Sequence, residues 1–116
     1  MDIYFSSYKE KYKSPFGAGK PGTVYRLTIY SSEECEMTLR VFGKEIGDVY
    51  VPMEKKEGGF YSASFEAPEK PSLLFYYFIL SLPDGSTYYY GNCEERLGGE
   101  GRIYADDPVP YQITVY

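Results

Sequence analysis

The stretch Leu73-Leu74-Phe75-Tyr76-Tyr77-Phe78-Ile79-Leu80-Ser81-Leu82 decides the fold of this chain. It is apolar on both faces of an extended strand, whereas a strand with one wet face alternates apolar and polar residues. The Asp-Gly pair of the following Pro83-Asp84-Gly85-Ser86 favours a tight hairpin, and residues 87–90 predict its return strand. We therefore expect residues 73–82 to form the central strand of an antiparallel sheet, buried on both sides.

The segments around this strand alternate with the period of two that half-buried strands show. Turn residues separate them at intervals of about eight to twelve residues, which is typical of a sandwich of two sheets. Pro52 cannot donate a hydrogen bond to a neighbouring strand, so its strand is placed at an edge or at a bulge. The predicted strands are 24–30, 35–41, 49–53, 60–67 and 111–116, with a short one at 102–104.

The first 22 residues do not follow this pattern. Gly17, Gly19, Pro21 and Gly22 interrupt any periodic structure there, and the segment is expected to be irregular. The expected fold class is all-β: an immunoglobulin-like β-sandwich of about seven to eight antiparallel strands.

Composition excludes several classes of function. The chain has 116 residues and 43% hydrophobic content, which fits one domain with one core. A formal net charge of -5 argues against nucleic acid as a partner, because phosphates are bound by basic patches. No apolar run reaches the about 20 residues that span a membrane. The start Met1-Asp2-Ile3-Tyr4 does not resemble a secretory signal, so we expect the chain to be either cytoplasmic or a fragment of a longer protein.

Catalytic chemistry has few candidate groups in this sequence. The chain contains no histidine, which excludes Ser-His and Cys-His arrangements. Cys35 and Cys93 form neither a disulfide framework nor a metal-binding spacing, and two free thiols are expected. The acidic loop residues are interpreted as solvated charges, since catalytic carboxylates need a shaped, partly dry pocket. Their side-chain oxygens are the type of ligand that calcium binds, but the spacing of these residues matches no calcium-binding motif. We predict no catalytic residue, no metal site and no cofactor. The loop residues considered are Asn92, Glu94, Glu95, Glu100, Asp106 and Asp107.

Tyrosine is the abundant residue suited to binding, with 15 copies in a chain that lacks tryptophan. A tyrosine ring stacks on the apolar face of a sugar, while its hydroxyl hydrogen-bonds at the rim. Tyr88 and Tyr90 lie two apart in a strand and project from one face, with Tyr89 on the other. We predict Tyr50, Tyr88 and Tyr90 as carbohydrate contacts. Core and cross-strand packing of the tyrosine rings is the competing interpretation.

Six short segments carry a resemblance to a known kind of domain. They are Ser14-Pro15-Phe16-Gly17-Ala18, Gly22-Thr23, Phe75-Tyr76-Tyr77-Phe78, Tyr89-Tyr90-Gly91-Asn92, Leu97-Gly98-Gly99-Glu100-Gly101 and Tyr111-Gln112-Ile113-Thr114-Val115-Tyr116. Together they resemble the N-terminal, carbohydrate-binding-module-like β-sandwich domain of α-amylase-superfamily glycoside hydrolases, in particular neopullulanase, cyclomaltodextrinase and pullulanase-like enzymes. The resemblance covers nearly the whole chain, and its last third is the specific part.

This resemblance implies a non-catalytic accessory domain of an α-glucan-degrading enzyme. In that family the catalytic Asp and Glu lie on a (β/α)8 barrel. The barrel would begin after Tyr116, so residues 1–116 are expected to be a single N-terminal domain truncated before it. The implied role is weak α-glucan binding, docking to the barrel, or both. The implied partners are the barrel of the same polypeptide, α-glucan oligosaccharides, and a second copy in a homodimer of the parent. The alternative is an independent protein-interaction or adhesion module.

Overall fold

In the computed structural model, which describes residues 1–116, two antiparallel sheets enclose one apolar core. Eight strands have three or more residues and three have only two. The predicted all-β sandwich is therefore confirmed. The strands are β1 (Ile3–Tyr4), β2 (Lys13–Ser14), β3 (Val24–Ser31), β4 (Glu36–Gly43), β5 (Gly47–Pro52), β6 (Glu54–Lys55), β7 (Phe60–Glu66), β8 (Ser72–Ser81), β9 (Thr87–Gly91), β10 (Arg102–Tyr104) and β11 (Tyr111–Val115), with a 3-10 turn at Glu57–Gly59.

The first sheet is built around β3. Its path runs β1-β3-β7-β6, and β2 also pairs with β3. The second sheet runs β10-β9-β8-β4-β5. Strand β8 is its centre, because β4 pairs along one edge while β9 and β11 pair with the two halves of the other. The prediction that residues 73–82 form the central strand is confirmed.

Alternation places one row of residues from each of β3, β4, β7, β8 and β11 in the core. On β8 the inward row is Leu74, Tyr76, Phe78 and Leu80, all fully buried. The outward residues of β8 are partly exposed, so the expectation that this strand is buried on both sides was wrong. No second layer of this chain covers the outer side of the sheet, and its apolar residues shield one another sideways instead.

The N-terminal segment is more ordered than its glycines and prolines indicate. Strands β1 and β2 both pair with β3, and Phe5 is fully buried. The Phe5 ring lies 4.8 Å from the ring of Phe78 and 5.1 Å from that of Tyr111. The expectation of an irregular segment holds for residues 15–22, but it missed these two strands, because two-residue strands are too short to show a period.

The remaining strand predictions hold. Pro52 ends β5, which is an edge strand of the second sheet. The short strand at 102–104 and the final strand are present, and Cys35 and Cys93 are both free. No helix in the structure is long and apolar enough to cross a membrane.

Candidate functional site

The tyrosine triplet of β9 is divided between the two sides of its sheet. Tyr88 is the Cα partner of the buried Leu80 and packs half-buried against the core. Tyr90 is only 3% exposed. Tyr89 is the member that faces outward, where its ring lies 5.8 Å from the ring of Tyr77. The outer face of the second sheet thus presents Tyr89, and not Tyr88 and Tyr90, to a ligand.

The hydroxyl of Tyr90 is used inside the domain. It donates a hydrogen bond to the carbonyl oxygen of Phe5 at 3.0 Å and accepts one from the N–H of Gly101 at 2.9 Å. Burial raises the pKa of Tyr90, because the charged form would lose its hydration. This side chain joins the N-terminal segment to the glycine loop before β10, so its hydroxyl is not free for a sugar.

Tyr50 is open to solvent on the outer side of the second sheet. It lies on the edge strand β5, is 56% exposed, and is the Cα partner of Arg40. Arg40 is in turn the Cα partner of Tyr77 on β8. A row of side chains therefore crosses three strands, with the guanidinium between two tyrosines.

Further aromatic rings extend this row into a continuous surface, which we call the aromatic face. The ring centroids of Phe42 and Phe75 are 5.6 Å apart, and those of Phe42 and Tyr77 are 6.0 Å apart. The central carbon of the Arg40 guanidinium lies 4.4 Å from the ring centroid of Phe42. All of these rings except Tyr50 are half-buried by their neighbours. The aromatic face consists of Arg40, Phe42, Tyr50, Phe75, Tyr77 and Tyr89.

Polar groups are fixed among these rings. Arg40 donates from Nε to Oδ1 of Asp48 at 2.8 Å and from Nη2 to Oδ2 at 3.0 Å, which makes a bidentate ion pair. Its Nη1 donates to the Tyr77 hydroxyl at 2.6 Å. The bonds from Arg40 hold the pKa of Asp48 below its usual value. The aromatic face therefore combines flat apolar rings with ordered donors and acceptors, which is the combination that a neutral sugar needs.

A groove of about 320 Å³ forms a second candidate site. It lies where the N-terminal segment, the loop after β9 and strand β11 meet. Lys13 and Arg96 line it, together with Tyr8, Phe16 and Leu97. Residues from segments 14–18, 89–92, 97–101 and 111–116, four of the six that carry the family resemblance, line this groove.

Backbone hydrogen bonds hold the loop beside this groove. The N–H of Ser7 donates to the carbonyl of Gly99 at 3.2 Å, and the N–H of Gly99 donates to Oγ of Ser7 at 2.7 Å. The hydroxyl of Tyr111 donates to the same Gly99 carbonyl at 2.8 Å. Gly99 has a φ of 76°, a left-handed conformation that favours glycine. A Cβ at Gly101 would collide with the carbonyl oxygen of Gly91. The glycine-rich loop is therefore a tightly packed structural element.

Comparisons with known proteins find weak similarity between this chain and amylopullulanases. No protein-family model matches it. It is 30% identical, over an alignment 127 positions long, to an amylopullulanase from Thermoanaerobacter thermohydrosulfuricus. This alignment covers 99% of this chain and 8% of that protein. Amylopullulanases from Thermoanaerobacterium thermosulfurigenes and Thermoanaerobacterium saccharolyticum are each 28% identical over 99% of this chain, and over 7% and 10% of their own length. The chain thus spans a tenth or less of the relatives it matches, and its whole length is weakly homologous to a small part of them.

Proposed function

We propose that this chain is a non-catalytic accessory domain of an α-glucan-degrading glycoside hydrolase, and that its aromatic face binds α-glucan weakly. The observation that carries the proposal is the homology: all of this chain corresponds to a tenth or less of each amylopullulanase. A share of that size fits an appended module, because a catalytic (β/α)8 barrel alone needs roughly 250 residues. Docking to the barrel of the same polypeptide stays a prediction.

The acidic side chains support a non-catalytic role. All 17 Asp and Glu residues are exposed. A glycosidase needs one carboxyl with a raised pKa as its general acid, and burial is the usual means of raising it. Where the environment shifts the pKa of a carboxyl in this chain, it lowers it, since hydrogen-bond donors favour the charged form. The three lowered groups are Glu34, Asp48 and Asp84.

The aromatic face supports a binding role of modest strength. A glucose unit offers an apolar C–H face, which stacks on an exposed ring, and hydroxyls, which reach nearby polar groups. Tyr50 supplies the exposed ring, while Arg40, Asp48 and the Tyr77 hydroxyl supply polar groups beside it. Since only one ring of the face is widely exposed, we propose millimolar rather than micromolar affinity. Sugar contact by Tyr88 stays a prediction, and the burial of Tyr90 removes it from the proposed surface.

Replacing Tyr50 with alanine is expected to weaken binding of maltoheptaose about tenfold, because it removes the only exposed ring of the aromatic face. Isothermal titration calorimetry of the two proteins with the same sugar measures the difference. Tyr116→Ala is the matched control, since Tyr116 is 61% exposed but lies outside the aromatic face. Equal weakening by both substitutions would contradict the proposed surface.

A further inference from the structure

Lys13 is a buried cation without an anionic partner. It is only 4% exposed, and burial lowers the pKa of its ammonium group. Its Nζ donates to the carbonyl oxygens of Gly17 at 2.9 Å and Pro15 at 3.5 Å, and it lies 5.3 Å from the ring centroid of Tyr25. The four ion pairs of the structure do not include it. Buried charges in proteins are normally paired, because an uncompensated charge in a dry site is costly.

The groove that Lys13 lines is positively charged in an acidic domain. The chain carries 17 acidic and 12 basic residues. Among the 14 residues that line the groove, two are basic, Lys13 and Arg96, and none is acidic. Arg96 also takes part in none of the ion pairs. The groove therefore complements an anion.

The rim of the groove is apolar. Tyr8, Phe16 and Leu97 are all widely exposed there. A small inorganic anion would leave these side chains in water, and a neutral glucan would leave Lys13 without an anionic partner. An occupant with a carboxylate beside apolar side chains matches both the charge and the apolar rim. The volume of about 320 Å³ lies at the lower end of the range of ligand-binding pockets.

We propose that this groove docks an acidic polypeptide segment, in which an Asp or Glu carboxylate pairs with Lys13 and flanking aromatic or aliphatic side chains cover Phe16 and Leu97. The backbone around the groove is already fixed by hydrogen bonds among residues 7, 99 and 111, so docking needs no reordering of the loop. This site is separate from the aromatic face, and the two surfaces take ligands of different charge.

A pair of isosteric peptides tests the proposal. The probes are acetyl-Phe-Asp-Phe-amide and acetyl-Phe-Asn-Phe-amide, titrated into the labelled domain and followed by NMR. The Asp peptide is expected to bind at least about tenfold more tightly than the Asn peptide, and to shift the amide signals of Gly17 and Gly98. It is also expected to raise the pKa of Lys13, read from the side-chain Cε signals of the unmodified protein, because a nearby carboxylate favours the ammonium form.

Two variants locate the effect. Lys13→Met keeps most of the apolar stem and is expected to abolish the preference for the Asp peptide. Arg96→Asn is expected to weaken binding by a smaller factor, and asparagine suits the positive φ of 59° at this position. Equal binding of the two peptides, no binding of either, or an unchanged Lys13 pKa would overturn the proposal. So would maltoheptaose shifting the groove signals. Sugar binding at the aromatic face is read from other signals, so the two proposals fail independently.

Discussion

Replacing Phe5 with alanine is expected to lower the free energy of unfolding by about 3–5 kcal/mol. Phe5 is fully buried, although it lies in a segment that precedes the first long strand. Its ring packs against those of Phe78, Tyr111 and Tyr76, at centroid distances of 4.8, 5.1 and 6.0 Å. Truncation leaves a cavity between the N-terminal segment and the second sheet, which the surrounding aromatic rings are too rigid to fill.

Urea denaturation at 25 °C measures this loss. Phe16→Ala is the matched control, because it removes the same ring from a position that is 55% exposed, and it is expected to change stability by less than about 0.5 kcal/mol. If the two variants unfold at the same urea concentration, the N-terminal segment is not part of the core.

Replacing Tyr90 with phenylalanine is expected to destabilise the domain by about 1–3 kcal/mol. The substitution keeps the ring but removes a hydroxyl that bonds the carbonyl of Phe5 and the N–H of Gly101. Both backbone groups then lose a partner in a region that water does not reach freely. The same denaturation experiment measures the effect.

The comparison variant is Tyr76→Phe, which also removes a buried hydroxyl but breaks no hydrogen bond. The Tyr76 hydroxyl is buried without a hydrogen-bond partner. Removing it is expected to leave stability unchanged or raise it by about 1 kcal/mol, because an unsatisfied buried hydroxyl is itself unfavourable. Of the two tyrosine-to-phenylalanine changes, only Tyr90→Phe should therefore destabilise the domain. Loss of stability of the same size in both would show that the bonds of Tyr90 are not the reason for its effect.

The sequence predicts the framework of the fold well, because the framework rests on local alternation. Strands β3, β4 and β7 each show one apolar row, and these rows are the ones found in the core. The central position of β8 follows from its long apolar run and the Asp-Gly hairpin after it. Burial on both sides does not follow, since an apolar outer row also results when aromatic rings shield one another.

The sequence does not assign the tyrosine triplet to its faces. Because Tyr88, Tyr89 and Tyr90 are consecutive, both faces of the strand carry a tyrosine ring. The sequence pattern is therefore the same whichever face points inward. The register with β8 decides it, because Tyr90 is paired with Phe78 and Tyr89 with Ile79. Tyr77 and Tyr89, which the sequence reasoning missed as surface residues, could have been found only from that register.

The sequence does not predict the groove either, for a different reason. Its residues come from positions as far apart as Ser7 and Thr114. They meet only because the segment after β2 pairs with β11 through Gly19 and Val115, and Ser6 pairs with Glu100. Lys13 appears in the sequence as one of four lysines in a polar stretch, which normally indicates a solvated face. Its burial depends on Pro15, Gly17 and Tyr25 closing around it.

Chemical-shift mapping of the labelled domain with maltoheptaose tests the central claim most directly. The account predicts saturable shifts at millimolar sugar for signals of the aromatic face, above all Arg40, Tyr50, Tyr77 and Tyr89, with the groove signals unmoved. A spectrum in which no signal of the aromatic face moves at sugar concentrations well above the millimolar range would contradict it.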